Sequence, residues 1–338
     1  MLDSTPWMIG NGAVHSVEVA RLLAYASTSG AEGVVEPASL AVKAQSTPNG
    51  TVAVRPGAAL ILNRYAGGSQ QTYVLRNPSS TSVTIPATGS TGGRTDAIIA
   101  RVLDPQYEGA APADPVTFNY ARLERIASVP GNLTNISQLG LTYPAILLAK
   151  IAIPASTGTI TNAMITDLRE IANPRTLEIT RPKASTVSTT ETLTATRERG
   201  EAFPNAGGTQ FIDIPSWATR MQIRAEWIMV EEKVGNAYGK CWVEYGPGVG
   251  GAGGTQDRQY MTQDFAWNAA NSNDFKSSIW MCVDDVYIPK ALRGTTENFV
   301  MKAKLSENFA SSMRPQLTPL SGTCLTVKFF EVADPSTT

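Results

Sequence analysis

Between residues 16 and 26, apolar side chains fall at Val19, Leu22, Leu23 and Ala26, the i, i+3, i+4, i+7 spacing of one helix face. Ser16 stands where an N-cap belongs, Glu18 lies in the first turn where the helix dipole favours a negative charge, and "STSG" follows with Gly30 free to turn left-handed. From about residue 33 the period shortens. "TVAVRPGAALILN", "QTYVLRN", "TSVTIP", "TDAIIARVLD", "PVTFNYARLER" and "AILLAKIAIP" read as short strands separated by the turn clusters "TPNG", "RPGA", "YAGG", "NPSS" and "GSTGG". "AIIARV" and "ILLAKIAI" are apolar on both alternating sets, which predicts central strands buried on two faces. A second, short helix is predicted to start at Thr161 in "ITNAMITDLREIA".

Residues 173–200 hold few large apolar side chains and many Ser, Thr and Arg, and read as a linker or an exposed extended arm containing a domain boundary. Beyond it, "TQFIDIP", "TRMQIRAEWIMVEE", "GKCWVEYGP", "SSIWMCVDDVYIP", "NFVMKAKLS" and "GTCLTVKFFEVA" alternate or run apolar at strand length. The expected fold is therefore mainly β. Residues 1–172 form a β-rich domain with one or two helices, and residues 201–338 form an antiparallel β-sandwich of jelly-roll type.

Composition changes this picture little. At 338 residues the chain exceeds what one hydrophobic core usually organises. Twenty-eight basic against 29 acidic residues leave a net charge of -1, without the basic excess that binding to nucleic-acid phosphates requires. The charged fraction is 17%, against about a quarter in ordinary proteins, so hydroxyls supply much of the polar surface. Cys241, Cys282 and Cys324 are odd in number and lack a Cys-x-x-Cys, which argues against a disulfide framework or a zinc site and for buried thiols. "MLDSTPWMIGNG" has neither the basic nor the apolar region of a signal peptide, and "YPAILLAKIAIP" is too short to span a bilayer, so a soluble protein made in a cytoplasm is expected.

Candidate chemistry is sparse. His15 is the only histidine, with no second His or Cys to share a metal and no Gly-x-Ser-x-Gly elsewhere to supply a nucleophile; it reads as a helix-entry residue that hydrogen-bonds locally. "GVGGAG", residues 248–253, matches Gly-x-Gly-x-x-Gly but follows Pro247 and leads into no helical stripe, so it reads as an inter-strand loop. Asp284 and Asp285 are strand neighbours that point to opposite faces, poor geometry for a carboxylate pair. Asp167 and Arg169 read as a capping and ion-pairing couple. Trp267, in "DFAWNAANSND", lies in the most polar surroundings of the six tryptophans; it reads first as buried in the sandwich core or a subunit interface, with Asp264 and Asp274 as solvated loop acids, and alternatively as a ring that stacks on a sugar whose hydroxyls those acids bind. No catalytic residue, metal or cofactor is expected.

Taken together, "PWMIGNGAVHSVEVARLLAYASTSGAEGVVEPASLAV", "VAVRPGAALILNRYAGGSQQTYVLRN", "GRTDAIIARVLDP" and "ILLAKIAIPASTGTITNAMITDLRE" resemble minor tail proteins of siphophages infecting actinobacteria. The "RTD…ARV" and "ITDLR" portions are also similar to the N-terminal attachment domains of baseplate and upper tail-fibre proteins. The resemblance covers residues 5 to 172 and does not reach residues 200–338. It implies a non-enzymatic virion component, assembled in the bacterial host cytoplasm, whose first domain docks on the tail tip or baseplate and whose second projects toward the host. Implied partners are other tail proteins and further copies of the chain, a trimer being the expected symmetry; nucleic acid and membrane insertion are not expected. Val19, Leu22, Leu23 and Ala26 then become the expected assembly face, laid on the sheet or on a neighbouring subunit. Two other readings stay open: a receptor module binding host cell-wall glycan through Trp267, Asp264 and Asp274, and a glycan-degrading tail enzyme.

Overall fold

The computed structural model describes residues 9, 12–183, 187–205, 209–232, 235–247, 262–269 and 276–334. They are mainly β, with one α-helix, Val17–Ser27, and every ladder between named strands is antiparallel. The chain divides into two compact units, residues 1–174 with 332–338, and residues 175–331.

In the first unit the two segments apolar on both sides, Arg94–Val102 and Ala145–Ile153, lie side by side in the middle of a four-stranded sheet. Period-two alternation sends Ile98, Ala100, Ile146 and Leu148 into one core and Ala97, Ile99, Ala145 and Leu147 into another. Two three-stranded sheets complete the larger core with Val34, Ala59, Ile61, Val52, Val54 and Val83. The helix predicted from Thr161 is absent. Only Asn162–Met164 makes a single 3₁₀ turn, after which Ile165–Asp167 runs as a strand against Ala149–Ile151. The open edge of the Ala145–Ile153 strand offers this β-branched segment a ladder of hydrogen bonds, and that tertiary pairing overrides the local helical spacing.

Arg169 closes this unit. Its side chain is fully buried and grips Asp167 with two hydrogen bonds, Nε to Oδ1 at 2.9 Å and Nη2 to Oδ2 at 2.6 Å. The remaining terminal nitrogen donates to the carbonyl oxygens of Pro37 and Ser39 at 2.9 and 2.6 Å. Alongside, the Val34 amide donates to Glu170 O and the Ala172 amide to Val34 O, both at 2.8 Å. Gly33 lets the chains approach this closely: its φ is +133°, and a Cβ there would stand 2.3 Å from Glu170 O. A fully buried carboxylate, Asp96, is held by Arg94 at 3.0 Å, Arg125 at 2.9 Å and the Ser128 amide at 3.1 Å.

The second unit is a two-layer sandwich. One sheet sets Thr176–Lys183, Gly322–Phe330, Arg220–Glu232 and Lys276–Tyr287 side by side, while the other is built on Thr296–Leu305, Gly235–Tyr245 and Gln263–Ala269. Trp227, Trp267 and Trp280 join Phe203, Phe265, Phe299 and Phe329 between them. The stretch 173–200, read from sequence as linker or arm, is structured in large part. Thr176–Lys183 pairs with Thr323–Phe330 along its whole length, and Val187 and Leu193 enter the core. Ile179 packs against that core while Leu177 stays exposed, and Arg175 pairs with the buried Glu331 at 2.6 Å, joining the two sequence ends of the unit.

Two outcomes check this architecture. Arg169→Met leaves Asp167 and two carbonyl oxygens without their donor, and should destabilise the first unit by about 3–5 kcal/mol, read as faster amide exchange in Ala145–Ile153. Burial pushes the Cys241 thiol up, and pushes Cys282 up to about 12, so neither forms a thiolate near pH 8. Cys324 is only partly buried, because it stands on the outer face of its sheet between Pro182 and Glu226. A thiol reagent should therefore modify Cys324 in the folded chain and reach Cys241 and Cys282 only on unfolding.

Candidate assembly surface

The helix begins as its sequence dictates, with Ser16 Oγ accepting from the Val19 amide at 3.2 Å, and ends at Ser27 and the Thr28 cap, with Gly30 just beyond at a φ of +69°. What holds it to the first unit is polar. Arg21 donates through Nε to Gln71 at 2.6 Å and through its two terminal nitrogens to Asp104 at 3.0 Å and Gln106 at 2.8 Å. Its guanidinium also lies over the rings of Tyr73 and Tyr107, at 5.2 and 5.6 Å. The Tyr73 hydroxyl donates to Asp104 at 2.7 Å; burial and that carboxylate drive its pKa far above the ordinary tyrosine value, so it stays a donor. Glu18 reaches Gln106 in the same network, and hydrogen bonds from its own backbone and from Gln106 hold its carboxyl below the usual range.

Because Arg21 faces inward, the apolar stripe turns out. Leu22 and Leu23 are 43% and 45% exposed, Ala26 is exposed, Val19 is half-buried, and no helix residue is fully buried. Val17 and Val14, outside this stripe, are exposed as well. Of the two places the sequence offers this stripe, the chain's own sheet is corrected by the structure: that contact is made by the arginine face. A helix whose hydrophobic side points to water while its charged side is docked presents a surface that another chain can cover.

The other sequence candidates are dispersed. Trp267 is 8% exposed and stacks on Phe265 at 5.9 Å, so the ring is part of the core rather than an open sugar platform. Its polar neighbours Asp264 and Asn268 alternate outward along Gln263–Ala269, which is why the local sequence reads as wet around a residue that points inward. Asp264 is largely exposed, 3.7 Å from Lys240. Asp274 and "GVGGAG" lie outside the described residues. His15 Nε2 is 3.2 Å from the Ile9 carbonyl oxygen, in the extended run before the helix. Asp285 is gripped by Arg220 at 2.5 and 2.7 Å, while Asp284 accepts from the Asp285 amide at 2.8 Å. Asp167 and Arg169 form the closing clamp described above. Among the described residues, no three His, Cys, Asp or Glu side chains are grouped as a metal site.

No protein-family model matches the chain, and no curated relative does. Among solved structures it is similar to the T13 viral particle of infectious bursal disease virus, with 13% identity over 89% of this chain and 70% of that chain and a TM-score of 0.23. It is also similar to the VP2 subviral particle of that virus, with 13% identity over 90% and 76% and a TM-score of 0.19. A third is PNGase F, a glycosylasparaginase from Flavobacterium meningosepticum, with 8% identity over 75% and 88% and a TM-score of 0.24. Superpositions this loose establish neither a shared fold nor a shared role.

Arg21→Met should raise amide exchange across Val17–Ser27 about tenfold or more, matching the loss of charge-assisted hydrogen bonds worth about 1–3 kcal/mol. Leu22→Ser with Leu23→Ser should leave the unfolding midpoint of the isolated chain within about 0.5 kcal/mol of the parent, because neither side chain is buried in it.

Proposed function

We propose that the chain is a structural component of a virus particle, and more specifically a phage tail-tip or baseplate protein. In this reading the first unit docks through the helix stripe Val19, Leu22, Leu23 and Ala26 against another tail protein or a further copy, and the sandwich serves contacts on the host side. The carrying observation is the inverted helix, held by Arg21 with its leucines exposed. The resemblance of residues 5–172 to minor tail proteins supports a location at the tail. The reading assigns the protein no catalysis.

An antibody against residues 200–338 should label the tail tip of purified virions, and Leu22→Asp with Leu23→Asp should yield soluble, folded chain that is missing from assembled particles. Absence of the parent protein from virions, or normal incorporation of the double variant, overturns the reading.

A further inference from the structure

The sandwich sheet that contains Arg220–Glu232 ends differently at its two sides. One border strand, Thr176–Lys183, carries Glu178, Arg181, Pro182 and Lys183, charges and a proline of the kind that keep an exposed edge from pairing. Among the described residues the opposite border, Lys276–Tyr287, pairs with Arg220–Glu232 and with no other strand. Its stretch 277–283, Ser-Ser-Ile-Trp-Met-Cys-Val, holds no charge and no proline. On the outer face Ile279 is 67% exposed, with Met281, Val283, Tyr287 and Ile228 also exposed. A crevice of about 460 Å³, lined by Asp264, Phe265, Ser278 and Trp280, opens between this strand and the border strand of the facing sheet. A long, apolar edge of this sort presents backbone donors and acceptors that another strand can complete.

We infer that this edge pairs with the same edge of a second copy of the chain, antiparallel and centred on Trp280. The occupant follows from the charges that bracket the uncharged stretch. Antiparallel partners directly opposite share a sheet face, so a self-pair must centre on a residue, and centring on Trp280 sets Lys276 of each copy opposite Asp284 of the other. Ile279 then meets Met281 across the outer face, and Ser277 meets Val283. The two Lys–Asp pairs form together by symmetry, giving an isologous, closed contact. Lys276 already stands opposite Glu232 in its own sheet, so the second copy's Asp284 would extend a row of alternating charge. This inference is independent of the tail-protein reading, because it uses a different surface and only this chain.

The test is the association state of the full chain by sedimentation equilibrium, up to about 100 μM. Lys276→Glu and Asp284→Lys each place like charges opposite one another twice, and each should weaken pairing about tenfold or more. The combined Lys276→Glu, Asp284→Lys chain should regain it, and the two single variants mixed in equal amounts should pair with each other. Circular dichroism of every variant should match the parent. A parent that stays monomeric throughout, single reversals without effect, or weakening that neither the combined chain nor the mixture rescues overturns the inference. Leu22→Asp with Leu23→Asp should leave this association unchanged, which separates it from assembly through the helix.

Discussion

The first unit depends on one buried arginine. Arg169 has no solvent contact, and a guanidinium out of water is tolerated only when its donors are matched; here a carboxylate and two carbonyl oxygens match them. Those partners come from opposite ends of the unit in sequence, residues 37–39 and 167, so satisfying the charge also closes the fold. Asp96, held between Arg94 and Arg125, uses the same logic with the signs reversed. The central strands can then be apolar on both faces, because the polar locks lie at their ends and along their margins.

The same preference for polar anchoring explains the helix. An eleven-residue helix is marginal alone, and this one is fixed through Arg21 rather than through a buried hydrophobic stripe. The polar network specifies one orientation, with the guanidinium between two tyrosine rings and against Asp104, and so turns Leu22 and Leu23 outward. Apolar surface kept in water is unfavourable until a partner covers it. That cost gives the assembly reading its physical content.

In the sandwich the informative contrast lies between the two borders of one sheet. Thr176–Lys183 carries proline and charge along its length, whereas Lys276–Tyr287 holds neither between Ser277 and Val283. Alternation puts Trp280 and Cys282 into the core while Ile279, Met281 and Val283 face out, so a strand apolar on both faces has only one of them satisfied within its own chain.

The sequence by itself determined the elements whose periodicity is strong. Ser16, Glu18 and Gly30 framed the helix, and the two-sided apolar runs around Ile98 and Leu148 marked the central strands. It also gave the mainly β character of both halves, because alternation and turn residues are local properties of the chain. Only the tertiary structure decided where faces point. Ile165–Asp167 of "ITNAMITDLR" became a strand because a sheet edge was there to pair with, and Trp267 went inward although its neighbours are polar. Arg21 and Asp104, 83 positions apart, carry no local signal of their meeting, although a lone arginine opposite an apolar stripe was the available hint. Likewise "SSIWMCV" has the same two-sided pattern as the buried central strands, and whether such a strand lies in the middle or at the border of a sheet is set by its neighbours, which no window of sequence contains.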